Sequence, residues 1–383
     1  MPQNKYFCTR PFEHIFGEGG SSWNLCCRSS NKHFQEYTFD EYTPEEWFYS
    51  DIMENIRLWI IHGKDPYNII KDSCKLCHDK EKQGVESDRL FRSKFNKDWP
   101  EFIQSLNNFK KGLSWKDSME GRILDVKVQM LGNYCNFSCF ACQPRNSSTK
   151  TNELKKLGLE DGFRFGSHVR NPLLVEQIKA LFPYMKRIYF MGGEPLLTND
   201  HLKIIREIIH DDIEVQYSTN LSKLSDEVIN TWKQLKNIKL NISIDGYGKR
   251  AEYARYGLIW KTFLENVKRL DGFNIEFVYA TSIVNIMHVQ DDYLKLSKLG
   301  KVDVNSCIVT HPNWLSINAL PKEFKNIALN KINIIQLEQI VNTLNSNIDD
   351  SHLFPKALDY IRKLDKSRGK NILDHVPEFK SVY

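Results

Sequence analysis

From Ile123 onward, short β-prone runs alternate with helical stretches, and this alternation constrains the fold more than any other feature of the chain. The runs cover residues 123–130, 187–191, 213–217, 239–244, 275–281 and 302–309. Between them, helices are predicted over 173–182, 202–209, 225–235, 260–270 and 291–299. Ile204, Ile205 and Ile208 recur at helical spacing, as do Val228, Ile229 and Trp232. Strand and helix in strict alternation predict parallel strands joined by crossover helices, an α/β class. Six such units fit a partial (β/α)6 TIM-like barrel better than a closed eight-fold one.

The first 120 or so residues differ in kind and are long enough for a small domain of their own. Residues 7–28 read as a hairpin, with Gly17, Gly19 and Gly20 at the turn. A helix start follows, with Thr43 as N-cap, Pro44 at the first helical position and Glu46 closing a capping box. Ile52, Ile56, Trp59 and Ile60 carry that helix to a stop near Gly63. Residues 79–82 and 94–111 are polar and read as surface helix or linker. After about residue 320 the chain reads as helices, one with Ile335, Leu337, Ile340 and Leu344, another with Leu358, Ile361 and Leu364.

Charge excludes some functions. The net charge of +5 comes from 53 basic and 48 acidic side chains. The two signs are interspersed, without the basic stripe and interleaved aromatics of a nucleic-acid binder. No run approaches the ~20 apolar residues that cross a bilayer, and residues 1–10 lack the apolar core of a secretory signal. Nine cysteines in 383 residues are an odd number and too few for a secreted disulfide framework. Their spacing reads as metal ligation in a reducing compartment, and the expected location is cytoplasmic.

Cys135, Cys139 and Cys142 follow the first barrel strand as Cys-x3-Cys-x2-Cys. Three thiolates within eight residues can hold one face of an iron–sulfur cube and leave its fourth iron open to a substrate or cofactor. The competing readings are a zinc site or buried structural thiols. Zinc sites usually close at four ligands from two Cys-x2-Cys pairs, and no second pair lies close by. Polar and glycine-rich groups end the next strands. These are Gly192, Gly193 and Glu194, then Ser218, Thr219 and Asn220, then Ser243 and Asp245, with Arg255 ten residues on. Taken alone, the glycine pair could be a plain turn and Arg255 a solvent-facing helix charge. Together they fall at the C-terminal ends of successive parallel strands, where barrel enzymes place their chemistry.

On these residues the chain resembles the radical S-adenosylmethionine (radical SAM) superfamily, over about residues 123–309. It departs in carrying Ala141, where many members have an aromatic residue before the last cysteine. The resemblance implies a 4Fe–4S cluster on Cys135, Cys139 and Cys142 and S-adenosylmethionine bound through its amino and carboxylate groups. Gly192, Gly193 and Glu194 would hold the ammonium. Ser218, Thr219, Asn220, Ser243 and Asp245 would meet ribose or carboxylate, and Arg255 the carboxylate. It also implies an electron donor such as a flavodoxin or ferredoxin, and a peptide or small-molecule substrate.

Cys8, Cys26, Cys27, Cys74 and Cys77 form a second group. Cys-x17-Cys, a helical insert and Cys-x2-Cys resemble a twitch domain, a shortened SPASM domain that binds an auxiliary 4Fe–4S cluster. Here it precedes the barrel, whereas it usually follows. The resemblance gives Cys8, Cys26, Cys74 and Cys77 as ligands, the spacing favouring Cys26 over Cys27. A zinc ribbon-like site is the alternative. The expected organisation is therefore 1–120 an auxiliary iron–sulfur domain, 121–320 the partial barrel and 321–383 a helical extension. The rival function is a non-catalytic iron–sulfur or zinc-binding interaction protein that keeps the fold. Cys307 is expected to be a buried core thiol, and His311, Pro312 and Trp314 to line the cavity or pack.

Overall fold

In the computed structural model the structure describes residues 6–17, 22–30, 32–82, 86–95, 99–129, 131–160 and 173–383. Ten strands occur among them: β1 His14–Gly17, β2 Trp23–Asn24, β3 Leu124–Val128, β4 Ser138–Cys139, β5 Met185–Phe190, β6 Glu214–Thr219, β7 Ile238–Ile244, β8 Arg255–Tyr256, β9 Ile275–Tyr279 and β10 Lys301–Asp303. Eight form one sheet in the order β10-β9-β7-β6-β5-β3-β1-β2. From β3 to β10 its pairs are all parallel and follow chain order. Helices Leu174–Lys179, Asp200–Ile205, Asp226–Trp232, Trp260–Lys268 and Val289–Leu296 occupy the connections. This is an α/β fold with a mostly parallel central sheet, consistent with a partial barrel of six units.

The two faces of the sheet are chemically distinct. Val215 and Tyr217 on β6, and Leu240, Ile242 and Ile244 on β7, are buried, while Glu214, Gln216, Ser218, Lys239, Asn241 and Ser243 alternate with them half-buried. Strands covered on both faces by helices read as continuous apolar runs. The alternation here leaves a polar interior face, along which Lys127 pairs in register with Tyr189, and Ser218 with Asn241. Tyr189 Oη and Ser218 Oγ share a 2.5 Å hydrogen bond, and Asn241 Nδ2 donates to Tyr189 Oη at 3.1 Å.

The N-terminal segment is built into this sheet. β1 runs parallel to β3, with Ile15 opposite Val126, and β2 closes it antiparallel. The expected hairpin therefore forms, and its first strand extends the barrel across residue 120; its turn glycines Gly19 and Gly20 lie outside the described residues. A buried ion pair fixes the junction, Arg10 Nη1 donating to Asp125 Oδ2 at 2.8 Å, with His14 Nδ1 2.8 Å from the Asp125 carbonyl. Burial alone would push the Asp125 carboxyl up. The Arg10 guanidinium, with Arg187 and Arg92 beyond it, instead holds it well below the usual carboxylate range; burial keeps His14 neutral at pH 7, so it adds no charge there. Asp125→Asn leaves Arg10 buried without its counter-charge and is expected to cost about 3–5 kcal/mol in denaturant unfolding. A depressed carboxyl stabilises above its unfolded pKa of ~3.9 and ceases to as pH falls through the lower folded value. The variant should therefore also lose part of the wild type's acid sensitivity below about pH 4.

The capping box is present, Thr43 Oγ1 accepting from Glu46 N and the Glu46 carboxylate from Thr43 N. The helix it starts, Pro44–Phe48, stops at Tyr49, and a second begins at Asp51. Ser50 is the cause, extended at φ −62, ψ 155, its hydroxyl donating to the Trp47 carbonyl. The second helix ends as expected at Gly63, left-handed at φ 67. Residues 94–111 are less superficial than their polarity suggests, because helix Pro100–Lys110 buries Phe102, Leu106 and Phe109. The sixth barrel strand stops at Asp303, where Oδ1 accepts from the Asn305 and Ser306 amides and turns the chain. Thr281 and Ile308 form a bridge beyond it. In the tail, helix Phe354–Arg368 buries Leu358, Ile361 and Leu364. Ile335, expected on the apolar face, is exposed, since the chain there is a 3-10 turn.

Candidate functional site

The three cysteines of the Cys-x3-Cys-x2-Cys segment lie on a loop that the structure holds from several sides. β4, containing Cys139, pairs antiparallel with β8, placing Cys139 opposite Arg255. Phe140 N donates to Ala254 O at 2.9 Å, and Ser147 Oγ to Phe137 O at 2.7 Å. Burial pushes all three thiols above the ordinary cysteine range, Cys139 up to about 12. Arg255 opposes that rise at each of them.

Gly192-Gly193-Glu194 is stitched to the same loop. Gly193 N donates to Asn146 O at 3.0 Å and Glu194 N to Tyr134 O at 2.6 Å. A Cβ at Gly193, where φ is +53, would stand 2.3 Å from the Tyr134 carbonyl oxygen. The glycine is thus required for the chain to approach its own cysteine loop, a reason that spacing alone does not reveal. The Glu194 carboxylate is buried and accepts from Leu196 N at 3.1 Å, Thr219 Oγ1 at 2.7 Å and Asn220 N at 2.5 Å. Three of its roughly four lone-pair positions are therefore committed within the protein. Glu194 is thus a hub joining two strand ends. Glu194→Ala would strand three donors, at about 1–3 kcal/mol for each one left unsatisfied. It is expected to lower the thermal midpoint and, through the loosened loop, to weaken S-adenosylmethionine binding in a titration.

Asp245 and Arg255, expected to meet a ligand separately, meet each other. Arg255 Nη1 lies 3.2 Å from both Asp245 oxygens. Burial raises the Asp245 carboxyl, and Arg255 pulls it back. Arg255 Nε is buried without a hydrogen-bond partner, an orphaned donor beside the three thiols. Ser243 stands half-buried on the interior face of β7, while Ser218 is taken up by Tyr189.

Residues 130–296 match the family model of the radical SAM superfamily. They form a radical SAM domain. The superfamily uses a 4Fe–4S cluster and S-adenosylmethionine. The chain is 27% identical over 192 residues to a GTP 3',8-cyclase of Campylobacter lari, a match covering 48% of this chain and 53% of that protein. It thus spans about half the length of that relative. SuiB of Streptococcus suis superposes with a TM-score of 0.38 at 12% identity, over 77% of this chain and 63% of SuiB. Its S-adenosylmethionine-bound form gives 0.38 at 14%, over 77% and 64%.

The radical SAM domain has supports that sequence reasoning missed. Arg368, near the end of the last long helix, donates to Ser138 O and to both Glu153 oxygens, each at 2.7 Å. Its guanidinium covers the Phe140 ring at 4.8 Å. Lys150 is fully buried behind the loop, 3.9 Å from Glu153, and burial and Arg368 push its ammonium down to about 7. Nothing in the sequence marks Lys150, Glu153 or Arg368 as partners, since Arg368 lies 215 positions from Glu153. Arg368→Ala breaks a buried pair, expected to cost about 3–5 kcal/mol. Lower thermal stability and poorer iron retention by the Cys135 loop are the readouts.

The N-terminal cysteines are also gathered. Cys8, Cys26, Cys27, Cys74 and Cys77 line one cavity with Arg10, Arg28 and Arg89. Ser30 N donates to Ser73 O, tying the two cysteine segments together. Burial raises Cys8, Cys74 and Cys77, and Cys26 up to about 12. Cys27 goes the other way. Burial would raise it, but Lys127, whose Nζ donates to Cys27 Sγ at 3.3 Å, outweighs that with Arg10 and Arg28. Among the described residues no three His, Cys, Asp or Glu side chains converge as ligands of one ion. A cube takes its cysteine ligands on different irons and not on one ion, and the N-terminal cysteines line a common pocket. Cys307 is half-buried, not a core thiol, its carbonyl accepting from Thr281 N and its surroundings charged by Asp245 and Arg28. Trp314 packs under Lys356 and beside Tyr360, and His311 is exposed. No helix among the described residues is long and apolar enough to cross a membrane.

Proposed function

We propose that this chain is a radical SAM enzyme whose cluster is held by Cys135, Cys139 and Cys142. Bound there, the cluster and S-adenosylmethionine supply a 5′-deoxyadenosyl radical for hydrogen abstraction. The observation that carries this reading is the pairing of Cys139 with Arg255 across β4 and β8. It sets a buried cation with a spare Nε donor beside the three thiols, where the carboxylate of S-adenosylmethionine needs a partner. Gly192 and Gly193 hold their loop close enough for backbone groups to meet the ammonium, and Ser243 offers a hydroxyl on the interior face. The polar interior around Tyr189, Ser218 and Asn241 suits a hydrogen-bonding substrate, a peptide or a small metabolite.

We further infer that Cys8, Cys26, Cys74 and Cys77 hold an auxiliary 4Fe–4S cluster in a twitch-like N-terminal domain, 1–120, preceding the barrel domain, 121–320, and a helical extension, 321–383. The shared cavity supports this assignment, as does Lys127, which already engages the Cys27 sulfur in a hydrogen bond. Four thiolates complete a ligand set, so such a cluster has no open iron and serves to pass electrons. A flavodoxin or ferredoxin in the cytoplasm is the proposed electron source. Iron analysis after anaerobic reconstitution tests both sites, with about eight irons per chain expected. About four irons with one bound zinc would make the N-terminal unit a structural module.

A further inference from the structure

Asn220, at the end of β6, is buried to 4% exposure. The sequence marks it as a contact for S-adenosylmethionine, but its amide is spent elsewhere. Asn220 Oδ1 accepts from Ser222 N at 2.9 Å, which fixes which end of the amide is oxygen. Nδ2 therefore faces the cysteine loop, where its two hydrogens have two acceptors, Asn136 Oδ1 at 3.1 Å and Cys135 Sγ at 3.8 Å. Its backbone amide is anchored on Glu194 Oε2. The Phe137 amide also approaches Cys135 Sγ, at 3.5 Å. The Ser147 hydroxyl also bears on Cys135, but its hydrogen goes to the Phe137 carbonyl at 2.7 Å.

From this geometry we infer that Asn220 is a positioning residue for the cluster, donating an N–H···S hydrogen bond to Cys135 and setting the cluster's reduction potential. The inference rests on the reading of Cys135 as a cluster ligand. Hydrogen bonds to cluster sulfurs are one of the terms that set such potentials. The reduced cluster carries one more negative charge, so a donor on the thiolate favours the reduced form and raises the potential. Glu194 takes part through the backbone anchor, so the Gly-Gly-Glu segment and the first cysteine are linked through one side chain.

The test is an EPR-monitored redox titration of the full, reconstituted chain, following the signal that added S-adenosylmethionine perturbs. Asn220→Asp keeps the shape and the bond from Ser222 N but replaces the donor with an acceptor, while Asn220→Ala removes it. Ser222→Ala is the control, since it removes the hydroxyl that steadies Asn136 and leaves the amide on Cys135. The expected result is a shift to lower potential in both Asn220 variants, with iron per chain unchanged. The reduced-to-oxidised ratio at a fixed potential should fall about tenfold, or 59 mV for one electron. Ser222→Ala should not move it. An unchanged potential in the Asn220 variants, or an equal shift in Ser222→Ala, overturns the inference alone. A wild-type chain with no cluster signal responsive to S-adenosylmethionine overturns the underlying reading with it.

Discussion

Replacing Cys135, Cys139 and Cys142 together by Ala is expected to reduce 5′-deoxyadenosine formation to the level of a protein-free control. The three thiols are half-buried or buried on one loop whose backbone is pinned by Arg255, Asn146 and Arg368. Small apolar side chains there remove the ligands while leaving those pins in place, so the fold should persist. Iron should fall by about four atoms per chain, the content of one cube, and the remainder should stay at the N-terminal site. Retained cleavage of S-adenosylmethionine in the triple variant would show that the chemistry lies elsewhere.

The second large effect is expected at the other cysteine group. Cys74→Ala with Cys77→Ala removes two of the four proposed ligands of the auxiliary site. Cys74 ends one short helix and Cys77 lies in the next, joined by a Cys77 N to Cys74 O bond of 3.0 Å that does not depend on either sulfur. Iron should halve, from about eight to about four per chain. Cleavage of S-adenosylmethionine should continue, because the radical SAM domain keeps its own ligands, and oxidation of substrate should fall. Unchanged iron in this variant would remove the auxiliary cluster from the account.

The barrel was legible because the helix-facing side of each strand must be apolar, and Val215, Tyr217, Leu240 and Ile242 announce it. The cysteine triad stood out because its close spacing is what a shared cluster would require. The roles of Glu194, Asp245 and Asn220 were less legible. A carboxylate or amide at a strand end can face a ligand or a neighbouring loop, and only the three-dimensional arrangement distinguishes them. Glu194 binds Thr219 and Asn220, and Asp245 binds Arg255. Contacts distant in sequence were invisible for the same reason. Arg368 reaches Ser138 across 230 positions and Arg10 reaches Asp125 across 115. Lys127 reaches Cys27 across 100.

The central claim is most directly tested by quantifying 5′-deoxyadenosine from the reconstituted wild-type chain under strictly anaerobic, reducing conditions. The account predicts that it forms in step with methionine and depends on both reductant and S-adenosylmethionine. A chain that carries iron on Cys135, Cys139 and Cys142 yet yields none above the protein-free control would contradict it.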